Sequence, residues 1–322
     1  MFANPFVKKN IVCIGGGNAM PKVVLSGLKN KNVNLTVVSA VLDSGGSSGR
    51  LRKDYDVISP GDVRRAWLEL CNLSEEDKSL LDYRFEDGDL HEHNLWNIAF
   101  VAMALEKGGY RSLFEKMNSM LINNHKILPS TTHKADLIAV LENGEEIVGE
   151  SNIDVPKHDP KLRITKLFLR PETKACPQTV KRIKKADMVV IGPGDIYSSL
   201  MQVLLVDGTS ETIKMSKAKK VYICNLMTKN GESNGFTVKD FVGEVENCLK
   251  CELDYVIFNT NIPETERLDE YSKIHPQFLE IVKFNDLPKD KKYIGLDLLP
   301  SSGDIVHDSS KIAEVLLKIC KQ

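Results

Sequence analysis

Five short apolar runs constrain this chain more than anything else in it: "NIVCIG" (10–15), "VNLTVVSAVL" (33–42), "ADMVVIG" (186–192), "KKVYICN" (219–225) and "LDYVIFN" (253–259). Each is nearly continuous in Val, Ile and Leu rather than alternating with polar residues. That pattern belongs to strands covered on both faces, as in parallel sheets. Helical patterns stand between them. In "AMPKVVLSGLK" (19–29), Val23, Val24, Leu25 and Leu28 recur at helical spacing. The first strand, this helix and the second strand form a βαβ unit, which in one sheet crosses over right-handed. The expected fold class is therefore α/β: a Rossmann-like, mostly parallel open sheet with flanking helices.

A long helical stretch interrupts the alternation. "SPGDVRRAWLELC" opens it, with Ser59 and Pro60 placed to start a helix and Val63, Trp67, Leu68 and Leu70 on its apolar side. "NLWNIAFVAMALE" and "SLFEKMNSMLI" continue it to about residue 123. This predicts a helical insertion at about 60–125 within one domain spanning 1–322. Strand signals return in "ADLIAVLENGEEIVGES", where Asn143-Gly144 between apolar stretches is a hairpin signal. Thr237 is expected to cap the helix of "FTVKDFVGEVENCL", and Asp308 the last helix.

Composition narrows the function classes. The 322 residues carry a net charge of −1, so no basic field calls for nucleic acid. No run of about 18 apolar residues predicts a membrane span. The opening "MFANPFVKKN" lacks the apolar core of a signal peptide. Seven scattered cysteines, an odd count, read as reduced thiols, and the expected compartment is the cytoplasm. Cys248 and Cys251 form a CxxC without a second pair at zinc spacing, so no certain metal site follows.

Ligands of open α/β sheets bind beyond the carboxyl ends of the strands, and four unusual segments fall there. The first holds Gly15, Gly16, Gly17 and Asn18, where glycines let backbone approach a ligand and a helix start favours an anion. A tight turn without a ligand explains it nearly as well. The second is "AVLDSGGSSGRLR". Read as a loop, its Gly45, Gly46, Ser47 and Ser48 offer backbone and hydroxyl donors, Arg50 and Arg52 offer forked cations, and Asp43 can orient a ligand or hold Mg2+. The third contains Gly192, Gly194, Tyr197, Ser198 and Ser199, the serines placed either for phosphate or for simple capping. The fourth contains Asn225, Thr228 and Glu232 ahead of an Asn230-Gly231 turn. The insertion adds Asp62, Arg64 and Arg65 in a helical first turn. It also adds His93, Asn94 and Asn97, the two asparagines three apart and so on one helical face. Together they describe a pocket of amides, hydroxyls and arginine for a phosphorylated, nucleotide-containing ligand. No nucleophile–base pair stands at an informative spacing.

"GGGNAMPKVVLSGLK", "DSGGSSGRLR", "SPGDVRRAW", "GPGDIYSSL" and "CNLMTKNGES" occur in the order, and at roughly the spacing, of the YvcK/CofD-like family. The resemblance runs from about Ile11 to the last helix. It implies one of two activities. CofD-like proteins are 2-phospho-L-lactate transferases that move a lactyl phosphate from a guanosine-linked donor onto the deazaflavin Fo, with Mg2+. YvcK-like proteins bind UDP-sugars such as UDP-N-acetylglucosamine and are tied to gluconeogenic growth and cell shape, without a settled catalytic activity. The GGSSGRLR and NLMT segments resemble the YvcK branch, which implies a cytoplasmic nucleotide-sugar-binding regulator working through a protein partner. A homodimer is the default assembly. The chain departs from the family pattern at several positions. Asn18 and Ala19 stand in the first glycine loop, and Ser44 stands where a second Asp is frequent. Glu92 and Trp96 replace glycines around His93 and Asn97. Val306 precedes His307-Asp308 where the family has Arg, leaving Tyr271 without its arginine companion.

Overall fold

The computed structural model describes residues 8–106, 108–285 and 287–322. The first seven residues, and with them most of the opening stretch read above for a signal peptide, lie outside the described residues. The strands in chain order are β1 Lys9–Gly15, β2 Val33–Ser39, β3 Lys126–Pro129, β4 Asp136–Leu141, β5 Glu146–Val148, β6 Ile164–Arg170, β7 Met188–Ile191, β8 Lys219–Ile223, β9 Met227–Lys229, β10 Tyr255–Asn259, β11 Phe278–Ile281 and β12 Tyr293–Leu296. Seven of them form one sheet in the order β12-β10-β8-β7-β1-β2-β3, with every neighbouring pair parallel. Helices flank the sheet, and the fold class is the α/β arrangement expected from the five apolar runs.

Those runs are covered on both faces, which is why they show no alternation: Ile11, Cys13 and Ile14 of β1 and Val189, Val190 and Ile191 of β7 are wholly buried. One smaller sheet pairs β4 with β5 and β6, and the Asn143-Gly144 turn closes its hairpin. Another pairs β9 with β11. The second apolar run stops being a strand sooner than its sequence implies. Ser39 is its last paired residue, and beyond it the Val41 carbonyl accepts the N–H of Ser59 in place of a strand neighbour.

The first crossover starts as a π-helical turn, Met20–Leu25, and ends as Ser26–Leu28. Gly27 sits under the last helix, Ser309–Lys321: a Cβ there would lie 2.3 Å from the carbonyl oxygen of Ser309. Asp308 caps that helix, and Thr237 with Asp240 forms a capping box on Val238–Leu249. Helices Gly46–Tyr55, Gly61–Leu70, Glu75–Asp82, Leu95–Leu105 and Gly109–Ser119 fill the chain between β2 and β3. Trp67, Trp96, Phe100 and Phe114 join them through successive ring contacts of 5.4–6.4 Å. Among the described residues no helix is long and apolar enough to cross a membrane.

The strand order reverses beside β1. From it the chain winds outward to β2 and β3, then returns to β7 on its other side and winds through β8, β10 and β12. The segments following β1 and β7 therefore flank the switch-point crevice, where such sheets take their ligands.

Candidate functional site

Backbone meets side chain most closely after β1. A Cβ on Gly16 would lie 2.2 Å from Asp62 Oδ2, so glycine alone fits. Gly17, at φ +66°, donates its N–H to Asp62 Oδ1 at 2.9 Å. Gly15 is buried, Gly17 is half-buried and Asn18 is exposed above them. Asp62 lies in the first turn of Gly61–Leu70, as its sequence position implied, and pairs with Arg65.

The second segment departs from its reading as a loop. Gly46–Tyr55 is a helix, with Gly45 as its N-cap and no side chain capping it. Gly49 makes this possible: a Cβ there would lie 2.0 Å from the carbonyl oxygen of Ser44, so the helix doubles tightly back on its own entry turn. Leu51 and Arg52 are drawn inward. Arg52 bonds to Asp136 at 2.9 Å, while Arg50, 43% exposed, bonds to the His91 carbonyl and lies 3.5 Å from Glu92. Both arginines are thus engaged by protein groups, and the charge of Arg50 still acts on His93 beside the helix start, whose own field adds to it.

Ser47 and Ser48, in that first turn, are both buried. Ser47 Oγ lies 2.8 Å from His93 Nδ1 and accepts from Asn97 Nδ2 at 3.2 Å. Asn94 is the N-cap of Leu95–Leu105 rather than a residue on its face, because its Oδ1 accepts the N–H of Asn97 at 2.8 Å. This correction still leaves both asparagines beside Ser47. Asn94 Nδ2 and Asn97 Oδ1 are buried with no hydrogen-bond partner among the described residues. Burial, and then Arg50, hold the His93 imidazole below its ordinary value, so it is neutral at pH 7.

Three carboxylates gather beside this helix start. Asp43 accepts the Gly45 N–H at 2.8 Å and shares a hydrogen bond with Glu150. Burial and the Asp62 charge raise Asp43; burial and Asp43 push Glu150 up to about 9. Arg65 is raised, its desolvation outweighed by Asp62. Like charges that suppress one another's ionisation fit a divalent cation, which would take the place of the shared proton. Asp43 and Glu150, with Asp62 beside them, are the residues that fit Mg2+.

The third strand end is already filled. Glu232 accepts the N–H groups of Tyr197 (3.0 Å) and Ser198 (3.1 Å) through Oε2, and the Ser198 hydroxyl (2.7 Å) through Oε1. Ser198 and Tyr197 are thus satisfied by a carboxylate of this chain, in place of the phosphate expected there. Ser199 is buried next to Gly17, Gly192 adopts φ +74°, and Gly194 packs against Leu200. Asp154, Asp195 and Glu232 bring ligand oxygens within 4.8 Å of one another, a spacing that suits a metal. Lys229 occupies that centre, pairing with all three. Burial pushes Asp195 up to about 6 against the pull of Lys229.

Thr228 is corrected as well. It lies in β9, is fully buried and exchanges hydrogen bonds with the backbone of Glu280, so it faces the small sheet. Asn225, just past β8, keeps a buried Oδ1 without a partner among the described residues. Tyr271 stacks on Phe278 and meets His275 at a tilt, and burial, Asp304 and Asp195 push it up to about 12. Glu150, Asp154 and Lys229 were not singled out from sequence. Glu150 and Asp154 stand in no recognisable motif, Lys229 lies within "CNLMTKNGES" without a role visible there, and only the placement of the β4–β5 hairpin and β9 brings them to the crevice. Two cavities open elsewhere. One of about 360 Å³ has Arg163, Tyr197 and Glu244 in its wall, and one of about 350 Å³ has Arg52, Lys134 and Arg170; neither contains Ser47 or Asp43.

Residues 11–295 match the family described as 2-phospho-L-lactate transferase CofD. A gluconeogenesis factor of Halalkalibacterium halodurans is 41% identical over 320 residues, 97% of this chain and 96% of that protein. The gluconeogenesis factor of Bacillus subtilis is 34% identical over 98% of this chain and 99% of that protein. A crystal structure of a UPF0052-family protein from Bacillus halodurans superposes with a TM-score of 0.88 at 33% identity, covering 96% of this chain and 99% of that one.

Proposed function

This chain belongs to the CofD family, and from that premise we propose that it binds a nucleotide-sugar at the switch-point crevice and acts in the control of carbon metabolism. The relatives named gluconeogenesis factor support the metabolic setting. The observation that carries the ligand reading is the start of Gly46–Tyr55: an uncapped helix N-terminus, with buried Asn94 Nδ2 and Asn97 Oδ1 left without partners beside it. Buried polar atoms rarely stay unpaired in native proteins, and a helix start favours an anion. A diphosphate bridging two polar moieties answers both needs. UDP-N-acetylglucosamine is the ligand the YvcK resemblance names, and control of cell shape through a partner protein belongs to the same reading.

A second reading, Mg2+-dependent phospho-group transfer of the CofD type, is favoured by one observation: the mutually suppressed carboxylates of Asp43 and Glu150, with the Asp62 charge acting on both. Mg2+ bound there would neutralise charge on a transferring phosphate. Thermal melting with UDP-N-acetylglucosamine, UDP-glucose, UDP, GDP, GTP and Fo, with and without Mg2+, separates the two. A ligand at about 100 times its Kd adds about 2.7 kcal/mol, which for a chain of this size raises the midpoint by several degrees. Stabilisation by UDP-sugars alone supports the regulator. Stabilisation by GDP or Fo only with Mg2+ replaces it with the transferase, and no response to any nucleotide by folded protein overturns both.

A further inference from the structure

Gly45-Gly46-Ser47-Ser48-Gly49 places a serine at the centre of a G-x-S-x-G pentad, and the structure sets that pentad at the N-cap and first turn of the helix Gly46–Tyr55, which follows the parallel strand β2. In α/β enzymes this pattern presents a nucleophile at the strand ends, its glycines allowing the sharp return of the chain. Gly49 meets that need here: a Cβ on it would lie 2.0 Å from the Ser44 carbonyl oxygen. Gly45 is crowded from another segment, where a Cβ would lie 3.1 Å from Ser151 Cβ. The base comes from 46 residues downstream, which is why no sequence spacing reveals it: His93 Nδ1 stands 2.8 Å from Ser47 Oγ.

We propose that Ser47 and His93 form a nucleophile–base pair that attacks phosphorus in a phosphate ester or anhydride seated at the start of Gly46–Tyr55. Asn97 Nδ2 donates to one lone pair of Ser47 Oγ. The hydroxyl hydrogen then goes to Nδ1, and a second lone pair is left for attack. In the step, Oγ forms a bond to phosphorus and the bond from phosphorus to the leaving oxygen breaks, its electron pair staying on that oxygen. The serine proton passes to Nδ1 and from there to solvent, while the leaving oxygen, on the opposite side of phosphorus, departs as an anion or takes a proton from water. Water afterwards cleaves the Oγ–P bond, giving up its proton to His93 as Oγ regains one. The uncapped helix start faces the negative charge that builds on the phosphoryl oxygens. Burial keeps His93 neutral, and the charges that act on it are Arg50 and Arg84 against Asp54 and Glu92.

This rests on the reading of the crevice as a phosphate site, yet its test does not need the ligand. A fluorophosphonate probe, whose fluoride is the leaving group, is incubated with the full chain, and the adduct is located by peptide mass spectrometry. The expected result is a single adduct on Ser47, absent in Ser47→Ala. In His93→Gln the labelling rate falls at least about 100-fold, the contribution typical of a positioned base, with the melting midpoint unchanged. The rate stays level through neutral and alkaline pH and falls on acidification as His93, held below its ordinary value, takes up a proton. No adduct on folded wild-type protein, labelling at other serines instead, or equal rates in His93→Gln would overturn the pair. If Ser47→Ala does not fold, the wild-type adduct map and pH profile decide alone. Adding UDP-N-acetylglucosamine separates the two readings: labelling that the nucleotide-sugar does not slow keeps the nucleophile and counts against the ligand.

Discussion

A single methyl group distinguishes what Gly16 permits from what any other residue would do. With its Cβ 2.2 Å from Asp62 Oδ2 and 3.0 Å from the Ala40 side chain, Gly16→Ala must displace Asp62 and so break its bond to the Gly17 N–H. Overpacking of this kind costs about 1–3 kcal/mol, and urea unfolding of the variant should show a loss in that range. Glu150 carries a prediction of opposite sign. Its folded pKa is about 9, above the ordinary 4.5, so the folded chain keeps a proton that the unfolded chain releases. Stability therefore declines as pH rises from about 4.5 to about 9. Glu150→Gln removes that decline and should be more stable than wild type at pH 8 by about 1 kcal/mol or more, one pKa unit being worth about that much. At pH 4.5 the two should nearly coincide, as urea midpoints at both values would report. Gly16 was legible as a backbone position in the sequence because a glycine run after an apolar run has few other uses. Glu150 was not, because a carboxylate shows its environment only when Asp43 and Asp62 are folded against it.

At the scale of elements, the β9 strand and the turn after β7 are held together through one ammonium. Lys229 is buried and pairs with Asp154, Asp195 and Glu232, and Glu232 in turn holds the backbone N–H groups at the start of Ile196–Met201. Lys229→Met leaves these carboxylates without a counter-charge. Breaking a buried pair from one side costs about 3–5 kcal/mol, so that loss is expected at pH 8. It shrinks at pH 5, because Asp195, already pushed up to about 6, takes up a proton there. Comparing urea midpoints at the two pH values checks both the size and the direction. Helix caps lie at the same scale: Thr237→Ala loses the capping box of Val238–Leu249 and should cost about 1 kcal/mol. That cap was readable, since Thr237 and Asp240 are three apart ahead of an apolar period. The helix at Gly46 was not, because glycine and serine have poor helical propensity. What forms it is the packing of Gly49 on Ser44 and the burial of Leu51 and Arg52.

For the whole molecule, the sheet decides which thiols meet solvent. Cys13, Cys71, Cys176 and Cys224 are buried, while Cys248, Cys251 and Cys320 are only partly covered. Burial raises the Cys13 and Cys224 thiols far above their ordinary value. A thiol-disulfide reagent should therefore titrate no more than these three groups quickly in native protein and all seven in denaturant. Prompt reaction at Cys13 would contradict the placement of β1 inside the sheet, between β7 and β2.

The sequence by itself determined the parallel α/β class and the glycine-bearing strand ends, because two-sided burial and left-handed or crowded backbone each demand particular residue types locally. It also determined the family through the order of its motifs. Only the tertiary structure decided which polar groups meet. Ser47 faces His93 across 46 residues, Glu150 shares a proton with Asp43 across 107, and Lys229 closes on Asp154 across 75. Charge and hydrogen-bond partners act through space over a few ångströms, and the strand order, which no local stretch encodes, sets those distances.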